Sequence, residues 1–356
     1  MTVTTEMRVT APEQAVAPAA LEVEGVSVTF PTKSREIDAV RDVSFGIAAG
    51  KTLVLLGESG SGKSVTSRAI MRLYGRSARI TGAVQLAGRS LFDLDERAMR
   101  KLRGAEIAMV PQDPTAALDP LRRVGAQIVE VLRTHDIEKS RSGAKARALD
   151  LLASVGIPDP ARVLRSYPHE LSGGMRQRAM IAVAIACEPS VLVADEPTTA
   201  LDVTVQAQVL ELFAELQERM GMAMLMVTHD VGVARDIADD VAVMYAGRIV
   251  EFGTANDVLG SPRHPYTMGL LGAVPSHTVA RGALLAIPGR PPAAGEPLPA
   301  GCAFSPRCPH AVSECRDEVP ALLQVATDRA SACPVVNGGW DRWDHGDEGA
   351  ARQAAT

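Results

Sequence analysis

Eight consecutive residues, Gly57-Glu58-Ser59-Gly60-Ser61-Gly62-Lys63-Ser64, have the composition of a loop that wraps a polyphosphate. They fit the spacing G-x-x-x-x-G-K-[ST]. They follow the apolar run KTLVLLG and precede SVTSRAIMRL, whose apolar positions recur at helical spacing. Glycines let the backbone close on an anion, and successive N–H groups at a helix N-terminus face it. Lys63 would reach the outer phosphates, and the Ser64 hydroxyl would ligate Mg²⁺. A glycine-rich turn with a snorkelling lysine would read the same over these eight residues, but the flanking strand and helix favour a nucleotide site.

A second segment, Val191-Leu192-Val193-Ala194-Asp195-Glu196, supplies carboxylates. An apolar strand delivers Asp195 to its C-terminal end, where phosphates bind in open α/β sheets, so Asp195 is expected to hold Mg²⁺ directly or through water. Glu196 beside it is placed to orient or deprotonate a water, which points to hydrolysis as well as binding. Without the phosphate loop, the pair would read as a solvated strand end.

The elements that must position these groups follow from periodicity. LEVEGVSVTF alternates like a half-buried strand and a second such stretch runs from Val40 to Ile47, so the chain opens on a sheet. Residues from about Pro114 to Ala186 are rich in helical patterns and read as a helical insertion. VLVADEP, the helix VQAQVLELFAELQERM ending at Gly221, and MAMLMVTHD form a βαβ unit of a parallel sheet.

Composition excludes several classes of function. The 356 residues carry 37 Lys+Arg against 42 Asp+Glu, a net charge of −5, and only 3% aromatics, so neither phosphate-backbone neutralisation nor base stacking is favoured. The longest uncharged apolar run, Ala179 to Cys187, is about half of the ~18 residues that a membrane span needs. Residues 1–20 lack the pattern of a secretory signal and read as a disordered tail, with the bulk of the chain in the cytosol. From Ser261 to about Pro334 the sequence is rich in Pro and Gly, an appended module of irregular structure, and the segment 337–356 reads as a disordered tail.

Between the phosphate loop and the acidic strand lies Leu171-Ser172-Gly173-Gly174-Met175-Arg176-Gln177, which resembles the signature sequence of ATP-binding cassette (ABC) ATPases. The resemblance extends to Gln112 in Val-Pro-Gln-Asp-Pro, to Ala200-Leu201-Asp202, and to His229 after the last core strand. It implies a P-loop NTPase (RecA-like) α/β core with an antiparallel β subdomain, an inserted α-helical subdomain and a small irregular C-terminal extension. The nucleotide-binding domain would span 21–260. By the resemblance, Ser172, Gly173 and Gly174 cap the γ-phosphate of ATP held by an opposite cassette, and Asp202 belongs to the nucleotide-binding set. Gln112 contacts Mg²⁺ or the lytic water, His229 contacts the γ-phosphate and positions that water, and Phe30 stacks on adenine. For His229 alone, a satisfied core histidine would be the better reading; motif order reverses it.

Ser261-Pro262-Arg263-His264-Pro265-Tyr266-Thr267, Ile287-Pro288-Gly289-Arg290-Pro291-Pro292 and Gly301-Cys302-Ala303-Phe304-Ser305-Pro306-Arg307-Cys308 are similar to the extension of dipeptide, oligopeptide and nickel importer ATPases. So is Ala273-Val274-Pro275. This places the extension at 261–336. The resemblance implies an ATP-hydrolysing importer subunit, peripheral on the cytoplasmic side of the membrane. Its partners would be a second cassette, two integral membrane permease subunits and an extracytoplasmic solute-binding protein, with no nucleic acid. ABC ATPases acting on DNA or ribosomes are the alternative. Cys302, Cys308, Cys315 and Cys333, spaced C-x5-C-x6-C-x17-C, resemble the residues that hold a 4Fe-4S cluster on such extensions. Structural zinc, disulfides and four unligated thiols stay open.

Overall fold

The computed structural model describes residues 19–199, 201–273 and 287–337. The 1–18 part of the expected tail, Ala200, Val274-Pro275 and 338–356 lie outside the described residues.

Two sheets share the strands. The first is a four-stranded antiparallel sheet in the order β2-β1-β4-β5, built from β1 (Ala19–Pro31), β2 (Glu36–Ala48), β4 (Arg79–Leu86) and β5 (Arg89–Ser90). Strand β1 begins at Ala19, which pairs with Ala48, so the last two residues expected in the N-terminal tail are strand instead. The second sheet has eight strands; with β10 (Arg248–Thr254), β11 (Leu323–Ala326) and β12 (Arg329–Ser331) at one edge, the order is β11-β12-β10-β9-β3-β8-β7-β6. Its centre is β3 (Thr52–Leu56), flanked in parallel by β8 (Ala223–Thr228) and β9 (Asp240–Tyr245), with β7 (Val191–Asp195) and β6 (Ile107–Val110) continuing outward. Every residue of β3, β7 and β8 is buried, as continuous apolar runs require when both faces of a sheet are covered.

Alternation along these strands divides the core in two. Leu53, Leu55, Val191, Val193, Leu225 and Val227 face the antiparallel sheet, α1 (Lys63–Ile70) and α2 (Glu96–Leu102). Val54, Leu56, Leu192, Ala194, Met224 and Met226 face a helical layer. That layer contains α3 (Pro114–Ala117), α4 (Val124–Thr134), α5 (Arg141–Ser154), α6 (Pro160–Arg165) and α7 (Gly173–Ala184). In α4 the buried Val124, Ile128 and Leu132 recur every fourth residue and form its inner stripe. Helix α8 (Val203–Met220) stops at Gly221, which takes the left-handed conformation at φ 62° that a helix-ending glycine supplies. Helix α9 (Val231–Ile237) follows β8. Among the described residues, no helix is long and apolar enough to cross a membrane.

The C-terminal extension joins this core more closely than its composition indicates. After β10 (Arg248–Thr254), α10 (Ala255–Gly260) and α11 (Pro265–Gly272), the strands β11 (Leu323–Ala326) and β12 (Arg329–Ser331) form a hairpin, and α12 (Pro334–Asn337) ends the described chain. Strand β12 pairs with β10 and so lengthens the main sheet. Glu251 of β10 is fully buried; it accepts hydrogen bonds from Arg329 Nη2 at 3.0 Å and from the backbone N–H groups of Arg263 at 2.7 Å and His264 at 2.9 Å. Breaking such a buried pair from one side costs about 3–5 kcal/mol, so it pins the extension to the sheet. The rings of Tyr245, Tyr266 and Phe304 pack on one another with centroids 4.6–5.4 Å apart.

Candidate active site

The phosphate loop runs from the C-terminal end of β3 into α1. Gly62 caps the helix at φ 106°, and a Cβ there would lie 2.6 Å from the Ala39 carbonyl oxygen, so both conformation and space demand glycine. Lys63 is buried and donates from Nζ to the carbonyls of Gly57 at 2.8 Å and Glu58 at 2.9 Å. Burial pushes its ammonium below the usual lysine range, opposed by the charges of Glu196, Asp195 and Glu58.

Asp195 ends β7 directly beneath the loop. The Ser64 hydroxyl donates to Asp195 Oδ1 at 2.6 Å, while Oδ2 is buried without a hydrogen-bond partner, its nearest cation being Arg68 Nε at 3.8 Å. Burial raises the carboxyl above its ordinary range, and the Ser64 hydrogen bond pulls it back. A half-buried hydroxyl on a buried carboxylate with one unpaired oxygen is a donor set that fits a hard divalent cation such as Mg²⁺.

Glu196 takes a left-handed backbone at φ 48° and turns away from the strand. Its Oε2 receives Gln112 Nε2 at 3.1 Å and Thr199 Oγ1 at 2.9 Å, and lies 3.3 Å from His229 Nδ1. Gln112 follows β6 and His229 follows β8, so the tips of three parallel strands bring these groups to one oxygen. Thr199 was not singled out from sequence; its only signal is a hydroxyl three positions beyond Glu196.

These groups open onto a cleft of about 800 Å³, lined by Glu58, Ser59, Gly60, Gly62, Lys63 and Ser64 together with Gln112, Glu196, Thr199 and His229. Its far wall is formed by Asp38 and Arg41 of β2 and by Pro291–Glu296 and Leu298 of the extension. Ser61 lies buried within the loop, its hydroxyl without a hydrogen-bond partner.

Other sequence candidates lie elsewhere. Phe30 does not line the cleft: it pairs with Ile37 across the β1–β2 hairpin, and its ring meets Tyr74 edge-on at 5.0 Å. Ser172 caps α7 by accepting the Met175 N–H at 3.3 Å, and with Gly173 it is exposed outside the cleft. Gly174 packs on Val205 at the start of α8. Asp202 caps α8 through the Val205 N–H at 3.0 Å, also outside the cleft. Gln177 of α7 donates to the Pro197 carbonyl at 2.6 Å, tying the signature helix to the segment after Glu196.

Cys302, Cys308, Cys315 and Cys333 line one small space with His264, Phe304 and His310. All are free thiols, as is Cys187, so the disulfide alternative is not realised. Burial, reinforced by neighbouring sulfurs, pushes Cys308 up to about 11 and raises Cys302 and Cys333. Among the described residues no three His, Cys, Asp or Glu side chains are gathered closely enough to hold a metal ion. The expected ligand set is thus brought to one cavity but not drawn into a coordination shell.

Residues 40–199 match the family described as ABC transporter, and residues 250–315 match the one described as Oligopeptide/dipeptide transporter, C-terminal region. The dipeptide transport ATP-binding protein DppD of Lactococcus lactis subsp. cremoris is 47% identical over 307 residues, 86% of this chain and 88% of that relative. The oligopeptide transport ATP-binding protein OppD of Salmonella typhimurium is 47% identical over 313 residues, 88% of this chain and 92% of that relative. Among solved structures, the dimeric form of MJ0796, a bacterial ABC transporter cassette, superposes with a TM-score of 0.60 at 29% identity, covering 66% of this chain and 98% of that one. With its phosphate loop, acidic strand end and signature helix in one order, and with relatives this similar over most of its length, the chain belongs to the ATP-binding proteins of ABC transporters, in the group that carries the oligopeptide/dipeptide C-terminal region.

Proposed function

We propose that this protein is the ATP-hydrolysing subunit of a peptide importer, and that the residues around Glu196 perform the hydrolysis. The observation that carries the reading is the meeting of Gln112, Thr199 and His229 at Glu196 Oε2 on the rim of the phosphate-loop cleft. Lys63 and the loop N–H groups bind the polyphosphate. Ser64 and Asp195 would hold Mg²⁺, with Gln112 at its edge, and the ion supplies charge neutralisation to the transferring phosphoryl group. Glu196 accepts the proton of the attacking water, and His229 and Gln112 orient it.

Because Ser172 and Gly173 are exposed at a helix N-terminus away from their own cleft, with Gly174 half-buried behind them, the three serve the nucleotide of a second cassette, with Asp202 beside the same junction. Closure of the two cassettes moves the membrane partners, two integral permease subunits that receive solute from an extracytoplasmic binding protein, with this chain peripheral on the cytoplasmic side. Support for peptide as cargo comes from the names of the relatives and from the matched C-terminal region. ATP-dependent peptide uptake by the reconstituted complex, abolished by Lys63→Ala, is the expected result. Turnover stimulated by DNA or ribosomes, with no membrane association, would overturn it.

The cysteine cavity is the second part of the proposal: Cys302, Cys308, Cys315 and Cys333 would hold a 4Fe-4S cluster that braces the extension. Its support is the donor set, four thiols around one space remote in role from hydrolysis. When bound, a cluster supplies folding energy to a segment with few apolar residues. Anaerobic purification followed by iron and acid-labile sulfide analysis tests it: about four of each per chain is expected. Folded, active protein free of both, or one equivalent of zinc, refutes it.

A further inference from the structure

We propose that Arg307 and Tyr266, both on the C-terminal extension, are positioning residues for the phosphate loop: they hold Glu58 in place and cancel its charge, so that the loop accepts a polyphosphate. The inference rests on reading the cleft as a nucleotide site and adds a role for the extension within it.

Glu58 is the second residue of the loop and lines the cleft. Its carboxylate is gripped by both arms of the Arg307 guanidinium, Nη1 to Oε2 at 2.8 Å and Nη2 to Oε1 at 3.1 Å. The Glu58 backbone N–H donates to the Tyr266 hydroxyl at 2.9 Å. Lys63 in turn bonds the Glu58 carbonyl. Side chain, amide and carbonyl of this one residue are therefore all occupied, and two of the three contacts come from more than 200 positions away, at separations of 208 and 249.

The two partners are themselves rigid. Arg307 is 7% exposed, donates from Nε to the Pro288 carbonyl at 2.9 Å, and lies 5.8 Å from the Tyr245 ring centroid. Tyr266 is fully buried against Tyr245 and Phe304. A fixed fork on a carboxylate is the geometry by which arginine sets direction as well as charge. The electrostatic consequence is direct. An ATP triphosphate enters a loop that presents a carboxylate of its own sign, and without Arg307 that charge would repel it. With Arg307 the pair is neutral and the loop is already ordered, which removes a conformational penalty from binding.

A docking contact that merely attached the extension would not depend on the charge of Glu58, and this separates the two roles. Titration of the full chain with a fluorescent ATP analogue in the presence of Mg²⁺ is the assay, with thermal unfolding as a check on folding. Arg307→Ala is expected to weaken binding by about 10- to 100-fold, the scale for truncating one partner of a desolvated charge pair. Adding Glu58→Gln to Arg307→Ala should recover about tenfold of that loss, because the unpaired charge is gone. Arg307→Lys should fall between wild type and Arg307→Ala, and it carries the test if the alanine variant does not fold. Tyr266→Phe should weaken binding by several-fold. Unchanged affinity in Arg307→Ala, or in Arg307→Lys where that variant is used, overturns the inference, as does a double variant no better than Arg307→Ala. Wild-type protein that binds no nucleotide fails the reading of the cleft itself, and this inference falls with it.

Discussion

Replacing Asp195 by Asn should make the protein more stable and less responsive to magnesium at once. Asp195 has no exposed surface, and only Oδ1 is paired, with the Ser64 hydroxyl at 2.6 Å. Oδ2 has no hydrogen bond, and Arg68 at 3.8 Å is half exposed and weakened by solvent. Asparagine keeps the acceptor for Ser64 and exchanges a buried, unpaired charged oxygen for a neutral amide. A buried neutral group without a partner costs about 1–3 kcal/mol and a charged one more, so the net gain should be about 1–2 kcal/mol. For a chain of this size that is a rise of about 1–3 °C in Tm. Thermal unfolding in chelator, then with Mg²⁺ and ATP, measures both effects. Wild type should gain about 2.7 kcal/mol at a nucleotide concentration a hundred times Kd, and Asp195→Asn should gain far less. A lower Tm for Asp195→Asn in chelator would refute the burial argument. An undiminished Mg²⁺-dependent shift would remove Asp195 from the metal site.

Three further outcomes are expected. Glu196→Gln should retain nucleotide binding and lose on the order of 10²-fold or more of turnover in the assembled complex; near-normal turnover would take Glu196 out of the hydrolytic role. Ser172→Arg should leave the isolated chain's ATP affinity intact yet block ATP-dependent pairing of cassettes, since it buries bulk and charge at the junction; a closed dimer seen by size-exclusion chromatography would contradict the shared site. Burial holds the His264 imidazole at a pKa of about 3 against an ordinary 6.5. The unfolded chain therefore binds a proton that the fold refuses, and His264 costs nothing above about pH 6.5. Below it, stability falls by about 1.4 kcal/mol per pH unit. His264→Asn should flatten the decline in urea-unfolding free energy between about pH 6.5 and pH 5 by that slope, and an unaltered slope would exclude His264.

What was readable in the sequence was local. The phosphate loop, the end of β7 and the helix stop at Gly221 each depend on residues within a few positions, so spacing alone reveals them. Phe30 is placed from sequence only by its distance from the loop, and its contact with Tyr74, more than 40 positions away, is not encoded locally. The hairpin β11–β12 was hidden because Leu323–Ala326 is mostly exposed and carries little apolar alternation, while its register depends on the distant β10. Arg307 and Tyr266 were visible as residues but not as neighbours of Glu58, for no local pattern encodes a contact across so many positions.

The place of β3 in its sheet has a consequence for how the protein is made. Leu55 lies between Val227 on one side and Ala242 on the other, so the strand that feeds the phosphate loop is synthesised long before either neighbour. At ~5–20 residues per second, the ribosome needs about 10–40 s to extend the chain from Leu55 to Ala242. Until β8 is made, late in that interval, TLVLL, all of it destined for the interior, has no parallel partner beside it. The hairpin of β1 and β2, whose strands are already out, offers the emerging strand its one early apolar face. A nascent chain arrested before β9 thus carries every residue of the phosphate-binding motif and still lacks the cradle that shapes it.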